Sequence, residues 1–363
     1  MRILLLARYG RLGASSRVRF EQFLPRLEAA GHEVVSAPLF NDDYLTALYS
    51  EGKRKTTAVL AAYANRLGVI RTRGHYDLVW MEKEALPWMP ASFESWLLRG
   101  GPPIIVDYDD AVFHRYDQHP SPLIRGLLAN KIDRVMEAAS VVVAGNDYLA
   151  DRAREAGARR VVVLPTVVDL ARYRAPAPAN DGPPVIGWIG TPMTAQYLEE
   201  VRPALTSFAE SGAAKVVLIG AGEAVLAGLP AERLEWREES EASDIAKLDI
   251  GIMPIPDEPF ERGKCGYKLI QYMAQARPVV ASPVGVNIKL VKESGAGFLA
   301  SNKQEWWDGL LKLVTDAELR RKMGAAGRRE VERNYSVDVI APELLKLFME
   351  ICDSVRRCPA ERF

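Results

Sequence analysis

Four side chains between positions 262 and 271 are suited to holding an anion together with hydroxyl groups. Arg262 and Lys264 bring positive charge to a loop, Lys268 follows one helical turn later, and Gln271 can both donate and accept hydrogen bonds. Lys264, Lys268 and Gln271 stand at i, i+4 and i+7, so a helix continuous back into the loop puts all three on one face. Leu269, Ile270 and Met273 fall on the other side, toward a core. A helix N-terminus adds free backbone N–H groups and a partial positive charge, which favour an anion near Gly266 and Tyr267. The same pattern also suits an ordinary soluble helix with a solvated polar face.

Two further groups have residue types that can do chemistry. Asp107, Asp109 and Asp110 cluster at the C-terminal end of an apolar run, with His114, Arg115 and His119 close behind. Grouped carboxylates bind a metal, orient hydroxyls, act as a base, or simply cap the next helix. Near the N-terminus, Gly13, Ala14, Ser15 and Arg17 follow the first apolar run. They read either as a ligand-facing loop or as a tight turn with a helix cap. The spacing is not GxGxxG, so a dinucleotide fingerprint is excluded.

The elements that must carry these residues read as repeated strand–loop–helix units. A strand at 250–255, a loop rich in Pro and Gly, a helix over about 266–276 and a strand at 278–281 form a βαβ unit on a parallel sheet. The chain opens the same way, with a strand at 2–7, a helix over about 17–30 and a strand at 32–36. Apolar runs at 77–81, 103–106, 140–144 and 161–165 extend that first set. After a stretch rich in Pro, Ala, Asn and Gly, runs at 185–190 and 215–220 begin a second set, with Gly190, Thr191 and Gly220 at their ends. Residues 41–75 read as a moderately basic helical pair. Its 53–73 portion is either a contact for an anionic membrane surface or an ordinary amphipathic pair.

The totals narrow the class. A chain of 363 residues suggests about two domains. Net charge is zero, which argues against a general nucleic-acid binder. The three cysteines lack disulfide-framework or zinc spacing, the four histidines are scattered, and no metal is expected. No run approaches the roughly 18 apolar residues of a membrane span, and the short apolar start reads as a strand rather than a leader. A cytoplasmic protein is expected, with a peripheral contact on the inner membrane face left open.

Read together, the motifs of the second half resemble those of the group 1, family 4 glycosyltransferases, the retaining GT-B class. LPTVVDLARY, VVLIGAGE, DIGIMPI, KLIQYMAQARPVVAS, SGAGFLA and RRKMGAAGRREVERNYS are similar to successive blocks of that family, in the family's order. They cover most of residues 161–336; the first half matches mainly by architecture. The resemblance implies an α/β GT-B fold, two Rossmann-like domains with a cleft between them. The acceptor-side domain would be 1–172, with the helix 337–363 packing back on it. A linker at 173–184 would lead to a nucleotide-sugar domain at 185–336.

The implied reaction transfers a sugar, with retention, from a nucleotide diphosphate sugar to a glycan or lipid-linked acceptor. Surface polysaccharide or glycolipid synthesis is the implied setting, with the nucleotide sugar as co-substrate and no cofactor. Donor contacts would come from Gly190, Thr191, Gly220, Arg262, Lys264, Gly266, Tyr267, Lys268 and Gln271. Asp109, Asp110 and Lys264 would serve the chemistry. The family's two Glu residues fall here on Gly263 and Gln271, and its Arg and Lys after the first strand of the second domain are missing from GWIGTPMTAQYL. Arg262, Lys264 and Lys268 are the candidate replacements. Those departures keep a second reading open, a non-catalytic nucleotide-sugar-binding scaffold of the same fold.

Overall fold

The computed structural model describes residues 1–51, 56–174, 182–222 and 226–357. The chain divides into two compact units, Met1–Thr166 with Ile340–Phe363, and Val167–Val339.

The first unit is built on six parallel strands: β1 (Arg2–Leu6), β2 (Glu33–Ser36), β3 (Leu78–Glu82), β4 (Ile104–Tyr108), β5 (Val141–Ala144) and β6 (Val161–Val163), in the order β2-β1-β3-β4-β5-β6. The continuous apolar runs become the central strands, buried on both faces, while β2 and β6 at the edges stay partly exposed. The strand order reverses between β1 and β3. In open α/β sheets ligands gather at such a switch, beyond the carboxyl ends of the strands. The register sets Glu82, the last residue of β3, beside Asp107, the last but one of β4. The long C-terminal helix Val337–Arg357 belongs to this unit from Ile340 onward, and its Phe348 packs edge-on against Trp80 of β3 at 5.2 Å.

The second unit has the same plan. Its strands are β7 (Val185–Ile189), β8 (Lys215–Ile219), β9 (Glu232–Leu234), β10 (Ile250–Met253), β11 (Val279–Ala281) and β12 (Gly297–Leu299), in the order β12-β11-β10-β7-β8-β9. Its switch lies between β7 and β10. One apolar cluster under this sheet gathers Leu269, Ile270, Tyr272 and Met273 of the helix Tyr267–Ala274 with Val168 and Tyr173.

Several expectations need adjustment. The dividing point falls between Thr166 and Val167, because Val168 pairs with Ser336 and Tyr173 is buried in the second unit's core. Of the stretch read as a linker, 175–181 lies outside the described residues. The helix placed at 17–30 starts at Ala14 and is broken, as Ala14–Arg19, a 3-10 turn Glu21–Phe23 and Leu24–Ala29. Pro25 lacks the N–H that a continuous helix would use. The helix Val286–Ser294 was not anticipated, because Gly285 and Gly295 closely bracket a short, weakly periodic segment.

Candidate active site

In the second unit the relevant residues meet at the carboxyl ends of β7, β8 and β10. Gly190 follows β7, and Gly220, with φ of 76°, follows β8. Both are glycines because the backbone is crowded. A Cβ on Gly190 would stand 2.5 Å from the Trp188 ring and 2.8 Å from Lys268 Nζ, and one on Gly220 would collide with the Gly190 carbonyl. Lys268, in the first turn of the helix Tyr267–Ala274, therefore brings its ammonium against Gly190, over the Trp188 ring at 4.3 Å from the centroid. Burial and the neighbouring Lys264 lower its pKa to about 7. A group in that state gains from an anion beside it. Gly266, at φ 66°, forms the left-handed turn that starts the helix, packed against Leu290 and Val286. Tyr267 opens the helix, and Thr191 caps a short helix, Pro192–Ala195, through a capping box with Thr194.

The other expected donor contacts are placed differently. Lys264 precedes the left-handed turn, so the helix does not run back to it, and its ammonium sits 5.0 Å from the Phe260 ring centroid. Arg262 holds Asp257 with two nitrogens, at 2.7 and 3.2 Å. Gln271 does not share an outward face with Lys268. It is 2% exposed, and its amide donates to Tyr173 Oη at 2.9 Å. Tyr173 in turn donates to Glu241 at 3.1 Å, and Trp236 donates to the other oxygen of Glu241 at 2.8 Å. Eight helical residues cover a sheet that needs apolar contact on most of their circumference, and Gln271 is drawn into that interior. Glu261 is also buried and accepts a 2.7 Å bond from Tyr197.

In the first unit the carboxylates separate into distinct environments. Asp107 lies inside β4, buried, and pairs with Arg19 at 2.8 Å. Burial raises its pKa to about 6, against the pull of Arg19. Arg19 also donates to the Leu164 carbonyl at 3.0 Å. Asp109 and Asp110 lie just past the strand, and both face Lys83, at 2.7 and 3.9 Å. Lys83 directly follows β3 and was not singled out from the sequence. Its backbone is left-handed, φ 63°, which costs a non-glycine residue roughly 1–2 kcal/mol. Its ammonium donates to Ser15 Oγ at 3.1 Å, and Ser15 donates in turn to Asp109. The one available signal was charge, since Glu82-Lys83-Glu84 ends an apolar run.

The remaining residues of the N-terminal loop are largely structural. Ser16 is buried and donates to Glu82 at 2.7 Å. A Cβ on Gly13 would meet Tyr9, and Ala14 is exposed. Arg17 is buried and donates to the Arg11 carbonyl at 3.3 Å, so it does not face outward. His114 bridges Asp117 and Tyr148, each at 2.9 Å, and makes no bond to the carboxylates before it. Among the described residues no three His, Cys, Asp or Glu converge as metal ligands would.

Beneath these strand ends lies a second charged group. Lys131 is 2% exposed and meets Glu84 at 2.6 Å and Glu94 at 3.5 Å, while Tyr116 donates to Glu84 at 2.9 Å. In the basic region, Arg66 is turned inward and donates to the Ala7 carbonyl, so it is not part of any surface. Lys53, Arg54 and Lys55 lie outside the described residues. No described helix is long and apolar enough to cross a membrane.

Comparison with known proteins bears on the fold. Residues 183–316 match the family model described as glycosyl transferases group 1. Among solved structures, HepE of Anabaena in complex with UDP is 17% identical, with 96% of this chain and 100% of that chain covered and a TM-score of 0.71. HepE with UDP-glucose is 18% identical over the same shares, at 0.72. Sucrose-phosphate synthase from Thermosynechococcus elongatus is 15% identical, covering 98% and 100%, at 0.73. No curated protein sequence matches. The fold is GT-B, and the stretch of the second unit from 183 to 316 is similar to the group 1 glycosyl transferases.

Proposed function

We propose that the chain is a retaining glycosyltransferase that moves a sugar from a nucleotide diphosphate sugar to a glycan or lipid-linked acceptor, in surface polysaccharide or glycolipid synthesis. One observation carries the reading. Lys268 is held, partly desolvated, against the paired glycines Gly190 and Gly220 at the head of a helix, at the switch of the second sheet. A diphosphate can approach the backbone closely there and find a cation plus helix N–H groups. As the glycosidic bond breaks, those groups stabilise charge on the leaving nucleotide diphosphate. The bound UDP and UDP-glucose of HepE support this class of donor. Asp109 or Asp110 orients the acceptor hydroxyl or takes its proton.

A thermal-shift panel of nucleotide sugars tests the donor half, followed by measurement of nucleotide diphosphate release. A stabilising nucleotide sugar whose release is accelerated by an acceptor supports the proposal. Stabilisation by none of them refutes it. A second reading, a nucleotide-sugar-binding scaffold without turnover, is favoured by Gln271, which stands at the family's Glu position and is turned into the core. Tight binding with no release at any acceptor would select it.

A further inference from the structure

We infer that Lys83 is a positioning residue for Asp109. From the switch point of the first sheet its ammonium fixes the Asp109 carboxylate, with Ser15 bridging the two, in the orientation that meets an acceptor hydroxyl. The inference rests on the proposal that Asp109 or Asp110 serves the acceptor. Three independent features point to it. First, Lys83 follows β3 and Ser15 lies beyond β1, so the group occupies the place where strand order reverses. Second, Lys83 is held at φ 63°, a backbone state retained only where the surroundings enforce it. Third, the group opens progressively to solvent. Side-chain exposure is 5% for Lys83, 10% for Asp109 and 25% for Asp110. Lys131 makes the instructive contrast, since its pair with Glu84 is sealed, at 0% and 1%.

The electrostatics are consistent with that role. Burial pushes the Asp109 carboxyl up, but Lys83, the Ser15 hydroxyl and Arg19 outweigh it, and it is held below its ordinary value. Burial likewise works to lower Lys83, and Asp109, Asp110 and Glu82 together raise it. Asp109 thus stays ionised and aligned despite its desolvation. In the transfer step the acceptor O–H proton passes to a carboxylate oxygen. The acceptor oxygen bonds the anomeric carbon from the face that the diphosphate leaves, as the bond from that carbon to the diphosphate breaks and its electron pair departs with the nucleotide diphosphate, so the configuration is retained.

The test compares Lys83→Gln, Lys83→Arg and Ser15→Ala with the wild-type protein. Asp109 is followed by 13C NMR of aspartate carboxyl carbons, assigned with Asp109→Asn, alongside the pH profile of kcat/KM. With Lys83→Gln the Asp109 titration and the acidic limb of the profile both move up by at least one pH unit, and Lys83→Arg restores both. An unmoved titration overturns the inference. A moved titration with an unmoved limb also overturns it, and leaves Lys83 a counter-ion needed only for folding. Should Lys83→Gln lose its near-UV circular dichroism, Ser15→Ala must shift both readouts in the same direction by a smaller amount, or the inference fails. Wild-type protein without turnover on any donor instead refutes the transferase proposal, and the carboxyl titration still decides whether Lys83 governs Asp109.

Discussion

Donor binding should take up a proton, and Lys268 sets how much. Its pKa is lowered to about 7 in the free protein, so at pH 7 it is about half protonated. A bound diphosphate restores the charged form, so binding at pH 7 takes up about half a proton. The diphosphate of a nucleotide sugar has no group titrating in this range, which leaves the lysine as the source. The sign follows from linkage. Above the free-state pKa the uptake approaches one proton per donor bound, and affinity falls by up to tenfold for each unit of pH. Between pH 6 and pH 8 the loss is about tenfold, or about 1.4 kcal/mol. Titration calorimetry in buffers of different ionisation enthalpy measures the uptake directly. Lys268→Arg stays charged throughout and should bind with no proton uptake and a flat pH dependence. Lys268→Met should lose roughly ten- to a hundredfold in affinity, as expected for a charge-assisted contact, and should also be flat. Wild-type binding with no proton uptake, or unchanged affinity in Lys268→Met, would refute the assignment of the anion site.

Three further outcomes follow from the packing. Gly190→Ala drives a methyl group into the Trp188 ring and Lys268 Nζ, and should weaken nucleotide-sugar binding in calorimetry by tenfold or more. Asp107→Asn leaves Arg19 buried beside a neutral partner, and urea unfolding should show a loss of roughly 3–5 kcal/mol. Gln271→Glu replaces a donor to Tyr173 with a second carboxylate near Glu241, costing roughly 1–3 kcal/mol at pH 7. The new carboxyl is held protonated more readily in the folded state than in the unfolded one. Stability relative to wild type should therefore recover as pH falls through its folded-state pKa, and an absence of recovery in thermal melts would count against the buried network.

The sequence by itself determined the two α/β sets, the parallel character of their sheets and the family blocks of the second half. Those features come from local signals, namely apolar runs of strand length, glycines at strand ends and helical periodicity. The places of Gly190 and Gly220 at strand ends, and of Lys268 near the start of a helix, were legible for the same reason.

Direction and partnership were decided only by tertiary structure. Periodicity put Gln271 on a polar face with Lys264 and Lys268, but a left-handed turn at Gly266 detaches Lys264, and the sheet takes Gln271 into its core. Arg17 read as part of a ligand-facing loop or a tight turn, Arg66 as part of the basic helical pair, and Arg19 was not singled out, yet all three are buried, Arg17 on the nearby Arg11 carbonyl and Arg19 and Arg66 on Asp107 and the Ala7 carbonyl from distant segments. Lys83 is the clearest case. No spacing rule links it to Ser15 and Asp109, which lie 68 residues before it and further along the chain beyond β4. The register of β3 against β4 and the left-handed backbone at Lys83 bring them together. Burial and register are properties of the packed sheet, and no local stretch of the chain contains them.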